Sequence, residues 1–561
     1  MSRVAAFSGL LLFLCGLCTA AITAWLIIIS YSPTPFGDQW GPLSDLASGQ
    51  HWYSLKWLWQ QHTEHRIFLY RLSLIADLRL FGGRAVSLFT LIYLTLLLHW
   101  IMWARFLQKS TTLPKWLWMS VAGFFAFCIF NPSQNENLYW AFQWTFIAAF
   151  AFASASFVAL VWFSTTARPW QGVLFASIGA FLSEACLANG TLAWPVLWLA
   201  TLVLPMKRWP RRILVLVGVG GMTLYLYHYR SPSYHANPLL TIRQPGRVGK
   251  YLLVYFGHCL TTYVTFPGFA AVILTIMAIV ALWSLFHKSH TKTLAMALAM
   301  TMCFLFGTGV ITALGRLTFG VEQATASRYQ SSVMLYWACV FTALFVAAWE
   351  KRSWRDIVTI NLIGLCLVLL TVPELHPISE RLRERAQRFA SIGESLDGGA
   401  VDPSLQPDLI IGRGPIESST LYLHRLGETI GPKPVHLRND LLKATPLDRS
   451  ACEGVFDGVG PLTRYYPGPR EVRADGWAID LHTHRPAKLI AITDQNGSVL
   501  AVNALHFPRP DVLAVLHGEY GSVGWRLYVP LSQNANALHA FAIVDQHACP
   551  IGVFHIPVLA K

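Results

Sequence analysis

Apolar stretches of about 20 residues, long enough to cross a ~30 Å hydrocarbon core as helices, recur along the chain as far as residue 374. Read as spans they fall at roughly 5–30, 85–106, 116–131, 141–165, 171–187, 190–206, 212–228, 266–286, 293–314, 331–349 and 357–374, eleven in all. The first outruns the apolar region of a signal peptide, about 7–15 residues, and no clear A-x-A site follows it, so it reads as a retained helix. Beyond 374 the pattern changes. A charged helical stretch, Glu380-Arg381-Leu382-Arg383-Glu384-Arg385, gives way to short alternating runs at Gly476-Trp477-Ala478-Ile479-Asp480, Lys488 to Thr493, Ser498 to Val502 and Trp525 to Val529. Asn496-Gly497 stands between two of them, and Asn-Gly between β-prone runs is a strong hairpin signal. The pattern predicts a polytopic α-helical membrane domain over 1–374, with a long first external loop at 31–84. A mixed, β-sandwich-like domain is expected over 375–561.

Composition agrees with that division: 54% of the 561 residues are hydrophobic and 13% are charged. The net charge of +14 matters less than where it sits. Arg105, Lys109, Lys115, Arg168, Lys207, Arg208, Arg211, Arg212, Lys288, Lys292, Lys351, Arg352 and Arg355 lie in short connections after even-numbered spans. Cytoplasmic loops carry such an excess, so these residues read as topology signals and contacts to anionic membrane lipids, not as a nucleic-acid surface. An odd number of spans then puts residues after Glu374 outside the cytoplasm. Eight of the ten cysteines lie in apolar segments, and Cys452 and Cys549 alone lie in the polar C-terminal region. Two cysteines in an oxidising compartment suggest a disulfide.

Candidate chemistry gathers in the external connections. The first loop carries Phe36-Gly37-Asp38-Gln39-Trp40 and then Gln61-His62-Thr63-Glu64-His65-Arg66. Asp38 follows Pro33, Pro35 and Gly37, where the chain turns sharply on leaving the membrane. A carboxylate there can act as a general base toward an acceptor hydroxyl, or cap a turn. With Glu64 or His65 it can also hold a divalent ion such as Mg or Mn. Glu64 and Arg66 read equally well as solvated residues of an interfacial helix. Asn135-Glu136-Asn137 with Trp140, and Glu184, mark two further external connections; an ionisable group so near the membrane core is a functional candidate. Arg316 and Arg328-Tyr329 oppose the positive-inside trend, and guanidinium forks suit phosphate; pairing with Glu322, Glu64 or Asp38 is the alternative. Trp40, Trp140 and Tyr329 can stack on sugars or anchor the chain at the interface. Gly218 and Gly220 lie inside an apolar span, where small residues pack helices. No P-loop, G-x-S-x-G, H-E-x-x-H or external C-x-x-C occurs.

Phe36-Gly37-Asp38-Gln39-Trp40, His62-Thr63-Glu64-His65-Arg66, Asn135-Glu136-Asn137 and Ser327-Arg328-Tyr329, set among these spans, resemble the GT-C superfamily of integral-membrane glycosyltransferases. The likeness covers about residues 1–374. It implies transfer of a sugar from a polyprenyl-phosphate donor to a glycan, lipid or protein acceptor such as pilin, on the periplasmic face of a bacterial inner membrane. It also implies that Asp38 is the catalytic acid of the first loop. Family members often pair two adjacent acids there; Asp38-Gln39 departs from that pattern and favours a lone base over a metal site. On this reading Arg316, Arg328, Arg66 and Tyr329 bind the donor phosphate, and Glu64 and His65 support Asp38. Trp40, Glu136, Asn137, Trp140 and Glu184 line the substrate site, while the C-terminal domain recognises the acceptor or braces the catalytic loops. A glycolipid flippase or transporter, a polysaccharide polymerase or ligase, and a non-catalytic receptor share much of the topology and stay open at this stage.

Overall fold

The structure is a computed structural model describing residues 2–164, 168–232, 238–260, 265–405, 408, 412–431, 448, 450–465, 470–503, 506–516, 521–531, 535–544 and 547–556. Most of the chain is helical, and the C-terminal region is rich in β-strand. Among the described residues eight helical segments are long and apolar enough to cross a membrane, and the protein is accordingly a multi-pass membrane protein. Three of the eleven expected spans fall outside that set, though all three are helices. Pro169–Glu184 has 16 residues and Ala193–Val203 has 11, about 24 Å and 17 Å at 1.5 Å per residue, short of the hydrocarbon core. Arg208–Leu226 is longer but opens with Arg208, Arg211 and Arg212.

Cα packing divides the chain into two compact units. The first comprises Met1–Ile28, Trp52–Ile75 and Ser87–Ser379; the second comprises Ile29–His51, Ala76–Val86 and Glu380–Lys561. The boundary at 379/380 lies close to the expected 374/375. The first external loop, expected to belong whole to the membrane domain, is instead shared between the units.

In the first unit the segment Ser327–Glu350 is the centre of the bundle: 89% of its apolar window is buried, against 33% for Arg3–Ser30 and 28% for Pro267–Phe286. A helix apolar on every side can be buried on every side. The peripheral helices instead leave Leu10, Leu14, Ile273 and Ile276 exposed, as lipid-facing helices do. Gly218 is where Arg208–Leu226 meets its neighbour, since a Cβ there would come within 2.6 Å of the Trp198 indole nitrogen. Gly220 has nothing within 4 Å. A two-residue hairpin, β1 (Gln61–His62) and β2 (His65–Arg66), interrupts this helical unit and turns through Thr63-Glu64.

The second unit is built on a two-sheet sandwich. Its strands are β3 (Ala400–Val401), β4 (Cys452–Gly460), β5 (Thr463–Arg464), β6 (Arg470–Asp480), β7 (Arg485–Pro486), β8 (Leu489–Asp494), β9 (Val499–Asn503), β10 (His506–Phe507), β11 (Gly524–Leu531), β12 (Ala537–Val544) and β13 (His547–His555). One antiparallel sheet runs β10-β11-β6-β4 with β7 on β6, the other β13-β12-β8-β9, and β3 pairs with β5. Alternate residues face inward: Trp525, Leu527 and Val529 from one sheet meet Ile490, Ile492, Leu538, Ala540 and Ala542 from the other. Gly476 is required by that core, because a Cβ would lie 2.3 Å from the Trp525 ring. The Asn-Gly signal marks the β8–β9 hairpin. Gly497 adopts φ 78°, and Asp494 Oδ1 accepts from the backbone N–H of Asn496 and Ser498 at 2.9 and 2.8 Å. Cys452 on β4 and Cys549 on β13 are joined in a disulfide, with Cα atoms 6.1 Å apart.

Residues 29–51 belong to this unit through specific bonds. The Thr34 hydroxyl reaches the carbonyls of Phe389 and Ile430 at 2.8 and 2.9 Å. Phe36 packs edge-on to Phe389 with ring centroids 5.1 Å apart, and the Arg385 guanidinium lies 4.1 and 4.4 Å from the two rings. Arg84 donates to the Thr429 hydroxyl at 3.1 Å and to the Gly431 carbonyl at 3.2 Å, which brings 76–86 to the same place.

Candidate functional site

The polar groups of the first unit form around the β1–β2 hairpin. Thr63 takes φ 50°, a left-handed conformation that tightens the turn and presents Glu64 at its tip. Arg66 then anchors the hairpin. Its Nε and one terminal nitrogen donate to the carbonyls of Tyr225 and Trp59, each at 2.7 Å, and its other terminal nitrogen donates to the carbonyl of Tyr227. The guanidinium sits 5.7 Å from both the Trp59 and the Tyr225 ring. Gln61 adds a second tie: its amide donates to the Arg230 carbonyl at 2.6 Å and accepts from the Arg230 N–H at 2.9 Å. Arg66 was expected to bind donor phosphate. Each of its three nitrogens donates to a carbonyl and it is buried, so it holds the loop that carries Glu64 and His65.

Glu64 pairs with Arg316, at the end of the helix Lys292–Arg316. His65 lies alongside, with Nε2 3.5 Å from Glu64 Oε1. Its Nδ1 accepts the Ala188 N–H at 3.2 Å, so the neutral imidazole carries its proton on Nε2, facing the carboxylate. The sequence left Arg316 open to pairing with Glu322, Glu64 or Asp38; here Glu64 is a partner, and Arg316 is still 24% exposed.

The two motifs Asn135-Glu136-Asn137 and Ser327-Arg328-Tyr329 lie against each other, bond by bond. The Ser327 hydroxyl donates to Asn135 Oδ1 at 3.0 Å and accepts the Glu136 N–H at 3.2 Å. Glu136 Oε2 accepts from the Arg328 N–H at 3.2 Å and from its guanidinium at 3.3 Å. The Asn137 amide donates to the Arg328 carbonyl at 3.1 Å. Like Arg316, Arg328 keeps part of its guanidinium, 22%, in the open. Tyr329 is buried beneath it, 5.3 Å from the guanidinium carbon and 5.6 Å from the Tyr255 ring.

Several expected substrate-lining residues are placed differently. Trp40 belongs to the second unit and is fully buried there; it packs in the core and presents no face to a sugar. Asn137 is likewise buried, its amide committed to Arg328. Glu184 is fully buried: Trp194 Nε1 donates to its Oε2 at 2.8 Å, while Oε1 has no hydrogen-bond partner among the described residues. Trp140 is half-buried, its ring 5.8 Å from that of Phe142. Asp38 is half-buried in a short 3-10 turn, Gly37–Gln39, of the second unit. The carbonyl of the neighbouring Gln39 side chain accepts the Phe36 N–H at 3.2 Å, so Gln39 stabilises the turn. Among the described residues no three His, Cys, Asp or Glu side chains gather in a metal-holding group. The expected Mg or Mn finds no such cluster around Asp38.

Sequence reading missed two tyrosines that the fold brings to this end of the unit. Tyr225 donates to the Glu64 carbonyl at 3.3 Å. Tyr251, on the helix Pro245–Gly257, is fully buried beside the turns that follow Arg316. Neither carries a charge to mark it, and only packing distinguishes them from the other aromatic residues.

No protein-family model matches the chain, and no curated protein sequence does. Among solved structures it is similar to the oligosaccharyltransferase of Archaeoglobus fulgidus, determined with an acceptor peptide containing the NVT sequon tethered through a disulfide bond. The identity is 13% and the TM-score 0.35, over 67% of this chain. The chain spans 57% of that protein's length.

Proposed function

We propose that the protein is a GT-C-type glycosyltransferase, moving a sugar from a polyprenyl-phosphate donor to an extracytoplasmic glycan, lipid or protein acceptor such as pilin. Its place on this reading is a bacterial inner membrane, with the chemistry on the periplasmic side. The observation that carries the reading is the pair Arg316 and Arg328, each held by one carboxylate, each partly open, at the ends of apolar helices. Guanidinium groups so placed suit a phosphate. In the proposed step Asp38 takes the proton of the acceptor hydroxyl, and the acceptor oxygen attacks the anomeric carbon. The bond from that carbon to the phosphate oxygen breaks, and its electron pair leaves with the polyprenyl phosphate. Arg316 and Arg328 neutralise the charge that grows there. Glu64, with His65 alongside it, positions Arg316, and Glu136 positions Arg328. Within the second unit, Phe389, Ile430 and Arg385 brace the segment that leads into the Asp38 turn.

Transfer from defined polyprenyl-phosphate sugars by the purified protein tests the reading. Asp38→Asn is expected to reduce the rate at least about a hundredfold, the usual contribution of a positioned general base. A folded Asp38→Asn protein with undiminished transfer shows that Asp38 is not the base.

A further inference from the structure

Tyr251 is one of several buried polar groups of the first unit with an atom that has no hydrogen-bond partner among the described residues, and its place in the fold sets it beside Arg316 and Arg328. It stands on the helix Pro245–Gly257, which packs against Leu317–Phe319 and Val321–Thr325, the turns between Arg316 and Arg328. Its ring is fully buried and stacks on Tyr255 with centroids 6.4 Å apart. Its hydroxyl is buried too, and has no hydrogen-bond partner among the described residues. A hydroxyl left so carries a desolvation cost, and a phenylalanine would fill the same space without it. Burial first, then the nearby phenols of Tyr329 and Tyr255, push the Tyr251 pKa up; the charges of Arg316 and Arg328 act on it in the opposite sense. The phenol therefore remains a protonated donor, close enough to feel both guanidiniums.

We propose that Tyr251 is a third donor of the anion site formed by Arg316 and Arg328, giving its O–H to a non-bridging oxygen of a lipid-linked phosphate. The proposal rests on the function proposed above and adds a residue to its donor site. Glu64 and Glu136 each engage one nitrogen of their arginine, which leaves further guanidinium donors for the other oxygens of a tetrahedral anion. A single uncharged O–H added to them gives direction without adding charge.

The test uses the full-length protein in nanodiscs, titrated with farnesyl phosphate, farnesol and inorganic phosphate. Tyr251→Phe is expected to weaken farnesyl phosphate about tenfold or more, since hydrogen bonds to charged groups are the stronger kind. Farnesol binding should not change, and the melting temperature should stay level or rise, because no bond of the free protein is lost. A structural role would do the reverse, lowering the melting temperature and weakening farnesol equally; that result overturns the proposal. Equal farnesyl phosphate affinity in Tyr251→Phe, with Arg328→Ala weakened, overturns the Tyr251 assignment alone. Wild-type protein that binds farnesyl phosphate no better than farnesol overturns the donor site and the proposed function together. Inorganic phosphate binding as tightly as farnesyl phosphate overturns the lipid-linked ligand.

Discussion

Both units contain arginines gathered with carboxylates, and the two gatherings are built to different ends. In the second unit Asp402, its side chain fully buried, accepts from Arg473 at 3.1 Å, from Arg526 at 3.3 Å and from the Tyr528 hydroxyl at 3.0 Å. Asp475 takes the Nε of the same two arginines at 2.7 and 2.6 Å. Two acids satisfy two bases across β6 and β11. Burial alone would push the Asp402 carboxyl up, but its Ser404 hydrogen bonds and the two guanidiniums hold it below its ordinary value. In the first unit Arg316 and Arg328 each have one carboxylate and lie on separate turns, and the helix packed against the turns between them carries Tyr251, whose hydroxyl has no hydrogen-bond partner among the described residues. A closed arginine network fixes a fold; a half-open one with an idle donor beside it is what a ligand site needs. Arg66, with its nitrogens committed to carbonyls, falls on the structural side of that line although it is only two residues from Glu64.

Substitutions on each side of the line should separate stability from binding. Asp402→Ala leaves two arginines without their shared buried anion, and breaking such a pair costs about 3–5 kcal/mol; urea denaturation followed by the fluorescence of Trp525 should show the second unit destabilised by that order. A loss under about 1 kcal/mol would remove the contrast. Arg66→Ala gives up charged hydrogen bonds to three carbonyls, and a destabilisation of about 2 kcal/mol is expected. Lowered donor affinity at an unchanged melting temperature would move Arg66 into the ligand site. Arg328→Ala should do what Arg66→Ala does not. It should weaken prenyl phosphate binding about ten- to a hundredfold while changing stability by no more than about 1 kcal/mol, as befits a partly exposed pair.

The smallest effect concerns pH. Burial, with help from Glu471 and Asp397, pushes Glu394 up to about 8 despite its hydrogen bond from Asn503, and burial pushes Glu471 up to about 7 against Arg464. Both lie beyond the charged helical stretch of 380–385, in the second unit. Folded protein then keeps protons that the unfolded chain releases above the ordinary value of 4.5. That stabilisation is complete at acid pH and is lost as pH rises toward about 8. His506, pushed down to about 4 by burial, works the other way, but only below its ordinary 6.5. The window to read is therefore pH 6.5–8, where stability should fall by up to about 1.4 kcal/mol per pH unit for each proton released. Glu394→Gln should flatten the slope of melting temperature against pH there; an unchanged slope would show that Glu394 does not hold a proton.

How far the chain announced this division depends on the kind of signal. Periodicity located the helices, because apolar runs and basic connections are local features. Three of its spans, met by Pro169–Glu184, Ala193–Val203 and Arg208–Leu226, are helices outside the eight segments long and apolar enough to cross by themselves. Asn496-Gly497 located its hairpin, because the turn geometry is carried by two residues. The motifs holding Asn135, Glu136, Ser327 and Arg328 could be picked out singly as polar groups out of place, yet their mutual pairing across about 190 positions is a property of the fold. The burial of Trp40, the carbonyl cage of Arg66 and the idle hydroxyl of Tyr251 left no trace in composition or spacing. An arginine that binds carbonyls and one that binds an anion are spelled alike; packing alone tells them apart.

Sugar transfer from a polyprenyl-phosphate donor by full-length wild-type protein, Arg316→Ala and Arg328→Ala bears most directly on the half-open pair. If the half-open pair binds the donor phosphate, the wild type transfers sugar and kcat/KM falls by about tenfold or more in each variant, while both keep the wild-type melting temperature to within a few degrees. Transfer by both variants at the wild-type rate would contradict that binding.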